Sequence, residues 1–216
     1  MNKSTRWRIA QYFEIRWWKS YLKDKDINSY LTRKLAYWNG FLKKIEEHAS
    51  PSKDFKILDA GCGPAGIFIA LQDNDVTAID PLLEKYNENL NHFSFEQYPL
   101  TKFQTIALEV FEGNEAFDLV YCLNAINHVS DLKQAFYQLY KSTKQGGTLV
   151  VSIDAHNVTF LKHIFRLQPG DILHPHQYDL NEYQQMLIQL NCTILQTVLI
   201  KKEFLFNHYV IVARKN

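Results

Sequence analysis

The stretch ILDAGCGPAG, residues 57–66, decides how this chain folds. Its apolar start is typical of a buried strand, and the glycines that follow are spaced G-x-G-x-x-G. In such a unit Gly61 permits a tight turn, Gly63 lets a ligand approach the backbone, and Gly66 lets the next helix pack close to the strand. The stretch therefore predicts a strand, a ligand-binding turn and a helix in succession.

Strands and helices alternate after this turn. Apolar runs predict strands at 56–61, 75–81, 103–109, 117–124 and 148–154, with helices at 64–71, 82–92 and 131–143, the last capped by Ser130. This alternation predicts right-handed crossovers and a parallel sheet with helices on both faces.

The C-terminal part breaks the alternation. Asp179 and Glu182 form a capping box that predicts a helix at 180–191. Too few residues separate the apolar runs 192–200 and 208–214 for a crossover, so these runs predict an antiparallel hairpin. The predicted fold class is α/β: a Rossmann-like, doubly wound, mostly parallel seven-stranded sheet that ends in an antiparallel hairpin, with an N-terminal helical cap.

The N-terminal segment differs from the rest in charge and aromatic content. Residues 1–44 contain 11 of the 24 Lys and Arg residues but only three acids, which gives this segment about +8 and the remainder about −7. All four tryptophans lie in the same segment. This composition fits contact with an anionic or aromatic partner, and it fits a basic segment docked on an acidic body equally well.

Two helices are expected in this segment. The first covers 7–22, and the second begins at Ile27 and buries a stripe formed by Leu31, Leu35, Trp38, Leu42 and Ile45. The turn-rich sequence SPSKD at 50–54 separates this helical cap or lid, residues 1–50, from a domain at 51–216. Within that domain, the irregular stretch at about 156–178 is expected to be an insertion that caps the substrate.

The composition limits the class of protein. A hydrophobic content of 46% and a charged content of 22% are typical of globular proteins. Three scattered cysteines do not suffice for a disulfide framework or a zinc site, which indicates a reducing compartment. The N-terminus has no apolar run of the kind found in signal peptides or membrane spans. We expect a cytoplasmic protein without a stable membrane anchor.

Two acids select the ligand of the glycine turn. Asp80 ends the second predicted strand and can accept hydrogen bonds from both ribose hydroxyls, so that the glycines and this acid indicate adenosine, with NAD as one option. Asp59 lies two positions before Gly61, where its carboxylate would repel a pyrophosphate and attract an ammonium and a sulfonium. The sign of that charge favours S-adenosylmethionine over NAD.

Four motifs resemble, in the right order, those of class I S-adenosylmethionine-dependent methyltransferases: D-A-G-C-G-P-A-G, A-I-D-P, F-D-L-V-Y-C-L-N-A-I-N-H-V and K-Q-G-G-T-L-V-V-S. They are most similar to small-molecule enzymes of the ubiquinone/menaquinone-biosynthesis type. The resemblance covers residues 55–155, and the C-terminal hairpin fits the family's sixth and seventh strands. It implies methyl transfer to a small-molecule acceptor by a monomer or homodimer.

The resemblance also implies which residues bind the cofactor. The methionine part and the ribose would contact Asp59, Gly61, Cys62, Gly63 and Gly66. The ribose hydroxyls would bind Asp80, which precedes Pro81, and the adenine would lie between Ala107, Leu108 and Glu109. Asn124 and Ala125 would face the methyl donor. All of these positions lie at the carboxyl ends of strands, where ligands bind in open α/β sheets.

Histidines are the candidate catalytic bases. His128 follows the fourth strand beside the expected methyl position, and His174 and His176 lie in the sequence HPHQY. We expect His128 and His176 to act on the reaction and His174 to contact substrate, although packed or solvated histidines explain the same pattern. Relatives often have Glu-His-Val where this chain has Asn127-His128-Val129, and the loss of the acid argues against a metal.

The aromatic and basic N-terminal residues are the remaining candidates for the substrate site. Tyr12, Arg16, Trp17 and Trp18 are expected to form a lid that excludes water and selects substrate, with core packing as the alternative for the aromatics.

Three other functions fit parts of the sequence. The basic segment would serve an RNA or tRNA methyltransferase, but C-L-N-A-I-N replaces the N-P-P-Y-like motif and the net charge is only +1, so no nucleic-acid partner is expected. The helix at 7–22 would suit a membrane-associated enzyme with a lipid or quinone substrate. A non-catalytic protein that binds an adenosine cofactor would carry the same glycine turn.

Overall fold

The computed structural model describes residues 3–156, 178–203 and 206–216. The elements in these ranges are α1 (Lys3–Leu22), α2 (Ile27–Ala49), β1 (Lys56–Ala60), β2 (Asp75–Ile79), α3 (Leu83–Asn89), β3 (Thr101–Gln104), β4 (Phe117–Cys122), α4 (Leu132–Ser142), β5 (Thr143–His156), α5 (Leu180–Gln189), β6 (Cys192–Lys202) and β7 (Phe206–Lys215). The predicted substrate-cap insertion, with His174 and His176, lies outside the described residues.

The seven strands form one sheet in the order β3-β2-β1-β4-β5-β7-β6. The first five pair in parallel, whereas β7 pairs antiparallel with both β5 and β6. This arrangement confirms the predicted Rossmann-like sheet and its antiparallel hairpin. The chain proceeds outward from β1 to β3 and then returns to β4 on the other side of β1, so that a crevice opens at the carboxyl ends of β1 and β4.

Helices cover both faces of the sheet because its central strands are apolar on both sides. In β1, Ile57 and Leu58 point to opposite faces and are both fully buried. One face packs against residues of α2, α3 and the glycine turn, among them Trp38, Phe41, Ile45, Phe68 and Tyr86. The other face packs against α4 and α5, among them Phe136, Leu139, Tyr183 and Leu187.

The helix predicted at 64–71 is wrong. Two short 3-10 turns, Gly63–Ala65 and Ile67–Ala70, replace it, because Gly66 between them is extended with φ −72° and ψ −176°. The backbone N–H of Phe68 donates to the Asp59 carboxylate at 3.1 Å, which holds the second turn against β1. Helix α2 packs on that turn and covers the sheet face that a longer helix would have used.

Three smaller predictions also need correction. The third strand ends at Gln104 and not at 109, because Leu108–Val110 forms a 3-10 turn. The N-cap of α4 is Asp131, whose carboxylate accepts from the N–H of Gln134, whereas Ser130 bonds elsewhere. Leu35 of the predicted α2 stripe is 38% exposed, since the buried face is centred one position earlier.

Two sequence-based details of the helices are confirmed. Asp179 and Glu182 exchange their capping-box hydrogen bonds at the start of α5, each at 2.9 Å. Trp38 and Ile45 are buried on the inner face of α2, as predicted.

In the described ranges no helix is both long enough and apolar enough to cross a bilayer.

Candidate functional site

The glycine turn after β1 has the geometry of a ligand cradle. Gly61 and Gly63 have φ of 70° and 56°, which only glycine adopts readily, and a side chain at Gly61 would overlap the Ala125 methyl group. At Gly63, by contrast, an added Cβ would have no neighbour within 4 Å. The backbone there is thus open to a ligand, which fits the predicted role of this residue.

Gly66 serves close packing, but against a carboxylate and not against a helix. An added Cβ would lie 2.5 Å from Asp59 Oδ2 and 2.6 Å from the Cys62 carbonyl oxygen. Cys62 itself is buried, and burial raises the pKa of its thiol. Its side chain is therefore a neutral packing group.

Asp59 is a buried carboxylate beneath the turn. Only 1% of it is exposed, and it accepts hydrogen bonds from the backbone N–H groups of Phe68 and Ile67. Burial outweighs these bonds and raises the pKa of Asp59 to about 7. A cation bound in the turn would favour its ionised form, whereas a diphosphate would not.

Asp80 lies at the carboxyl end of β2, opposite the turn. Its Oδ2 accepts from the N–H of Gly63 at 3.1 Å and its Oδ1 from the N–H of Leu82 at 2.8 Å. Burial, and then the negative charge of Glu14, raise the pKa of Asp80 to about 7. Each carboxylate oxygen keeps a lone pair for a ribose hydroxyl.

The end of β4 carries Asn124 in a strained conformation. Its φ is 55°, and its N–H donates to Ser152 Oγ at 2.7 Å, which holds the residue in place. The side chain of Tyr37, on α2, lies within hydrogen-bonding reach of the Asn124 side chain. Asn124 and Ala125 thus lie beside the glycine turn, with Tyr37 in contact with Asn124.

Helix α2 is attached to the glycine turn itself. The Trp38 indole is 4% exposed and donates from Nε1 to the Ala65 carbonyl oxygen at 3.0 Å. Since Trp38 and Tyr37 are adjacent, one segment of α2 contacts both the turn after β1 and the end of β4. This segment thus borders the crevice.

Helix α1 approaches the acidic side of the crevice. Tyr86 Oη donates to Glu14 Oε1 at 2.8 Å, and the Trp18 ring meets the Tyr86 ring edge-on at 6.4 Å between centroids. Tyr12 and Trp17 instead lie on the outer surface of α1 and are more than half exposed. Of the four predicted lid residues, Trp18 is thus turned inward.

Arg16 lies on the outer surface as well. It donates to Tyr12 Oη at 3.0 Å and contacts neither Asp80 nor the glycine turn. The substrate contacts predicted for Tyr12, Arg16 and Trp17 therefore stay predictions.

The predicted adenine-flanking residues follow β3. Leu108 is buried and Ala107 is half-buried. Both follow the carboxyl end of β3, the strand that pairs with β2. The Glu109 carboxylate accepts from the N–H and the hydroxyl of Ser130, at 2.7 and 2.9 Å. Glu109 thereby fastens this loop to the start of α4. Pro81, next to Asp80, is half-buried.

His128 and its neighbour Asn127 point in different directions. The side chain of His128 is exposed on a 3-10 turn. Its backbone N–H donates to the Ala125 carbonyl oxygen at 2.9 Å. Asn127 is 5% exposed, and its Oδ1 accepts from Tyr183 Oη at 3.0 Å. The amide that replaces the acid of related sequences is therefore a buried packing partner of α5.

Metal-binding groups are absent from the described part of the chain: no cluster of three His, Cys, Asp or Glu side chains lies close enough to hold an ion there. All three cysteines are buried and free.

Sequence reasoning missed three residues near the crevice: Glu14, Tyr37 and Tyr86. Their positions depend on how α1, α2 and α3 pack. The only sequence signal was the position of Tyr37 next to Trp38, a residue of the predicted buried stripe of α2.

Comparisons with known proteins agree with this geometry. A family model described as a methyltransferase domain matches residues 58–149. A ubiquinone biosynthesis O-methyltransferase of Rickettsia bellii is 30% identical over 116 residues, which are 53% of this chain and 48% of that protein. This chain thus spans about half the length of the curated relatives that it matches.

Solved structures share the fold at low sequence identity. The YcgJ protein of Bacillus subtilis superposes with a TM-score of 0.63 at 18% identity, over 83% of this chain and 98% of that one. A 1,6-didemethyltoxoflavin-N1-methyltransferase of Burkholderia thailandensis, with bound 1,6-didemethyltoxoflavin and S-adenosylhomocysteine, gives 0.62 at 12% identity, over 100% and 91%. The predicted resemblance to class I methyltransferases is confirmed.

Proposed function

We propose that this chain transfers the methyl group of S-adenosylmethionine to a small-molecule acceptor. The observation that carries the proposal is the pair of buried carboxylates, Asp59 and Asp80, on either side of an open glycine turn. Such a site stabilises a ligand with an ammonium and a sulfonium and repels a diphosphate. The match of residues 58–149 to a methyltransferase domain supports this choice.

The cofactor would lie along the carboxyl ends of β1, β2 and β4. The backbone of Gly61 and Gly63 would hold its methionine part above Asp59, and Asp80 would accept the ribose hydroxyls. Ala107 and Leu108 would flank the adenine.

When bound, the cofactor supplies an activated methyl group, and the chain has to align the acceptor and exclude water. Alignment can contribute roughly 7–11 kcal/mol, whereas a general base adds about 10²–10⁴-fold in rate. Asn124 is held by Ser152 at the expected methyl position, so its role would be orientation. Among the residues that the structure describes, His128 is the candidate general base. His176, outside those residues, is a second candidate. The reaction would need such a base only if the acceptor has to lose a proton.

The acceptor would enter between α1 and the end of β4. Trp18 and Tyr37 would bound its site from inside, with Tyr12, Arg16, Trp17 and His174 as further contacts. The three buried free cysteines suit a cytoplasmic protein, and a monomer or homodimer would contain a complete site.

Ligand binding to the purified full chain tests the proposal. S-adenosylhomocysteine should bind, measured by isothermal titration calorimetry, and should raise the thermal midpoint, while NAD should do neither. Asp80→Asn should weaken S-adenosylhomocysteine by about 10-fold or more, since it removes a charged acceptor of the ribose hydroxyls. Stabilisation by NAD alone would refute the cofactor assignment.

A membrane-associated lipid or quinone acceptor is the second candidate. The outer surface of α1 exposes Tyr12, Phe13, Trp17 and Tyr21 beside Arg16, a combination found in helices that lie on bilayers. Flotation with vesicles of phosphatidylglycerol and phosphatidylcholine separates the two candidates. Binding that is lost in Trp17→Ala would favour the membrane-associated enzyme, and absence of binding favours a water-soluble acceptor.

A further inference from the structure

The strands β5 and β7 extend past the end of β4 on the side of the sheet where the crevice opens. The last pair between β4 and β5 is Cys122 with Val151, whereas β5 and β7 stay paired as far as His156 and Phe206. His156 is five residues past Val151, which corresponds to about 16 Å of strand. The two strands therefore form a wall beside the carboxyl end of β4.

An aspartate and a histidine are paired on this wall. Asp154 of β5 is opposite His208 of β7, and His208 Nδ1 donates to Asp154 Oδ1 at 2.8 Å. The side chain of His208 is 17% exposed and that of Asp154 is 45% exposed, so the pair borders solvent. Because Nδ1 carries the proton of this bond, the neutral imidazole has an unprotonated Nε2 that can accept a proton.

The pair lies on the face of the sheet that α2 covers. Positions an even number of residues apart on a strand share a face. Val150, four residues before Asp154, and Val210, two after His208, both belong to the core beneath α2. Asp59 is on the same face, since Ile57, two positions before it, belongs to that core as well. The pair and the carboxylate beneath the glycine turn are therefore on one side of the sheet.

Ser152 relates this pair to Asn124, the residue at the expected methyl position. Its Oγ accepts from the N–H of Asn124 at 2.7 Å. Asp154 is two residues further along β5, about 7 Å away on the same face. The hydrogen bond to Asp154 also draws the His208 ring toward β5, which lies between β7 and β4. This spacing suits a small acceptor whose reacting atom is beside Asn124 and whose proton faces His208.

We propose that His208 is the general base that takes the proton of the methyl acceptor, with Asp154 as its positioning residue, an inference that rests on the proposed function. A lone pair of the acceptor oxygen forms the bond to the methyl carbon, the bond from that carbon to sulfur breaks, and its electron pair stays on sulfur. The proton of the acceptor hydroxyl moves to His208 Nε2. Asp154 stabilises the resulting imidazolium, which then releases the proton to water.

The surroundings of His208 differ from those of His128, the candidate from the sequence motifs. His128 is exposed on a 3-10 turn, whereas His208 and its acid partner are both held by paired strands. A further cation, Lys201, is the neighbour of His208 on β6 and pairs with Glu203. The strands thus fix the direction of the His208 ring before an acceptor binds.

Methyl transfer to two phenols isolates the role of the base. Catechol keeps its protons at neutral pH, whereas 4-nitrocatechol loses one near neutral pH because its nitro group withdraws electrons. His208→Gln should lower kcat/KM for catechol by about 100-fold or more, and Asp154→Asn by about 10-fold or more. Both losses should shrink to within about fivefold with 4-nitrocatechol, whose ionised oxygen needs no base. A merely structural role would lower the rates with both phenols equally.

A second readout does not depend on turnover. In nitrogen NMR spectra of the complex with S-adenosylhomocysteine, the Nε2 resonance of His208 should shift when catechol is added, and His208→Gln identifies that resonance by its absence. His48→Gln is the matched control, because His48 also pairs with a carboxylate, that of Glu47. It lies eleven residues, or about 16 Å, along α2 from Tyr37, so its loss should change neither the rates nor the shift.

Each outcome bears on one proposal. Equal losses with both phenols, an unchanged rate in His208→Gln, or a loss confined to His128→Gln would overturn the role of His208. A wild type that binds S-adenosylhomocysteine but methylates neither phenol, or shows no shift with catechol, would overturn it as well. Failure of the wild type to bind S-adenosylhomocysteine would overturn the proposed function instead. Should His208→Gln not fold, as judged by its thermal midpoint, His208→Asn gives the same comparison.

Discussion

At the scale of the residue, the site depends on two carboxylates whose ionisation is disfavoured by burial. Asp59 and Asp80 lie under and beside the glycine turn, and each has a pKa raised to about 7. Glu14 adds a third negative charge near Asp80. The fold therefore tolerates an unfavourable charge arrangement that a cationic ligand would relieve, as is common at functional sites.

This arrangement predicts how stability depends on pH. An unfolded aspartate has a pKa of about 3.9, so between about pH 4 and 7 the folded chain holds more protons at Asp59 and Asp80 than the unfolded chain does. Their contribution to the free energy of unfolding is complete below about pH 4 and is lost as the pH rises through about 7. Urea unfolding of the ligand-free protein at pH 5 and 7.5 should show the decline.

Asp59→Asn and Asp80→Asn serve as controls for that decline, since an amide of the same shape does not titrate. Each variant should lose less stability between the two pH values than the wild type loses. The same pH dependence in all three proteins would mean that neither carboxylate is the cause.

A second prediction at this scale concerns Gly66. Ala at this position would lie 2.5 Å from the Asp59 carboxylate and 2.6 Å from the Cys62 carbonyl oxygen, so Gly66→Ala should lower the free energy of unfolding by about 1–3 kcal/mol. Gly40, within α2, has nothing within 4 Å of an added Cβ. Gly40→Ala should therefore raise the free energy of unfolding by about 0.5–1 kcal/mol. Urea unfolding measures both changes, and shifts of the same sign would contradict the packing account.

At the scale of the element, the strands were predictable and the segment after β1 was not. The apolar runs in β1, β4 and β5 leave few alternatives to a buried strand, and the short link before β7 permits only a hairpin. After β1, the sequence PAGIFIAL has helical composition, and Pro64 suits a first turn. The helix is lost because Gly66 is extended and the Asp59 carboxylate binds the N–H of Phe68, a tertiary contact with no local signal.

The candidate site divides in the same way. Asp59 lies at the end of β1, and Asp80 and Asn124 follow β2 and β4, so the topology of the sheet brings them together and sequence motifs were sufficient to find them. Tyr37 lies on a helix that precedes the sheet, and its position beside Asn124 follows from the packing of the whole helix. The composition of the N-terminal segment fits two alternatives equally well: a segment docked on the rest of the chain, and a segment that binds a partner.

The contact between α1 and α3 predicts a local effect of one hydroxyl group. Tyr86 is fully buried, and its Oη donates to Glu14 at 2.8 Å. Tyr86→Phe removes this bond and leaves the Glu14 carboxylate without a donor beside the acidic crevice, so α1 should open more often. Limited digestion with trypsin should cut at Arg16 or Lys19 several-fold faster.

The exposed Tyr137 on α4 provides the control for this experiment. Tyr137→Phe should be cut at the wild-type rate. Unchanged cleavage in Tyr86→Phe would show that packing of Trp18 holds α1 without the hydrogen bond.

At the scale of the whole molecule, the charge split of the sequence has a structural counterpart. The basic N-terminal segment carries about +8, and α2 within it is part of the core on one face of the sheet. The inner face of this segment brings the Glu14 carboxylate close enough to Asp80 to raise its pKa. The asymmetry therefore corresponds to a basic helical segment that packs on one face of the sheet, with Arg16 and Lys25 bonding within the segment and Lys19 bonding to Asn89.

The other end of the chain is fastened by a buried cation. Lys215, the last residue of β7, is 2% exposed, and its Nζ donates to Glu115 and to the carbonyl oxygens of Tyr140 and Thr143 at 2.7, 3.1 and 2.9 Å. These bonds join the C-terminal hairpin to the turn before β4, to the last turn of α4 and to the first residue of β5. Lys215→Ala removes all three bonds, including the one to the buried Thr143 carbonyl oxygen, so it should lower the free energy of unfolding by about 2–4 kcal/mol.

Arg214→Ala is the matched control, because Arg214 is the exposed neighbour on the same strand and should change the free energy of unfolding by less than about 0.5 kcal/mol. Urea unfolding of both variants at one pH measures the difference.

The cofactor crevice lies at the opposite ends of the parallel strands from this contact, so the affinity of folded Lys215→Ala for S-adenosylhomocysteine should match that of the wild type. A variant as stable as wild type would show that apolar pairing of β7 with β5 holds the chain end without the lysine.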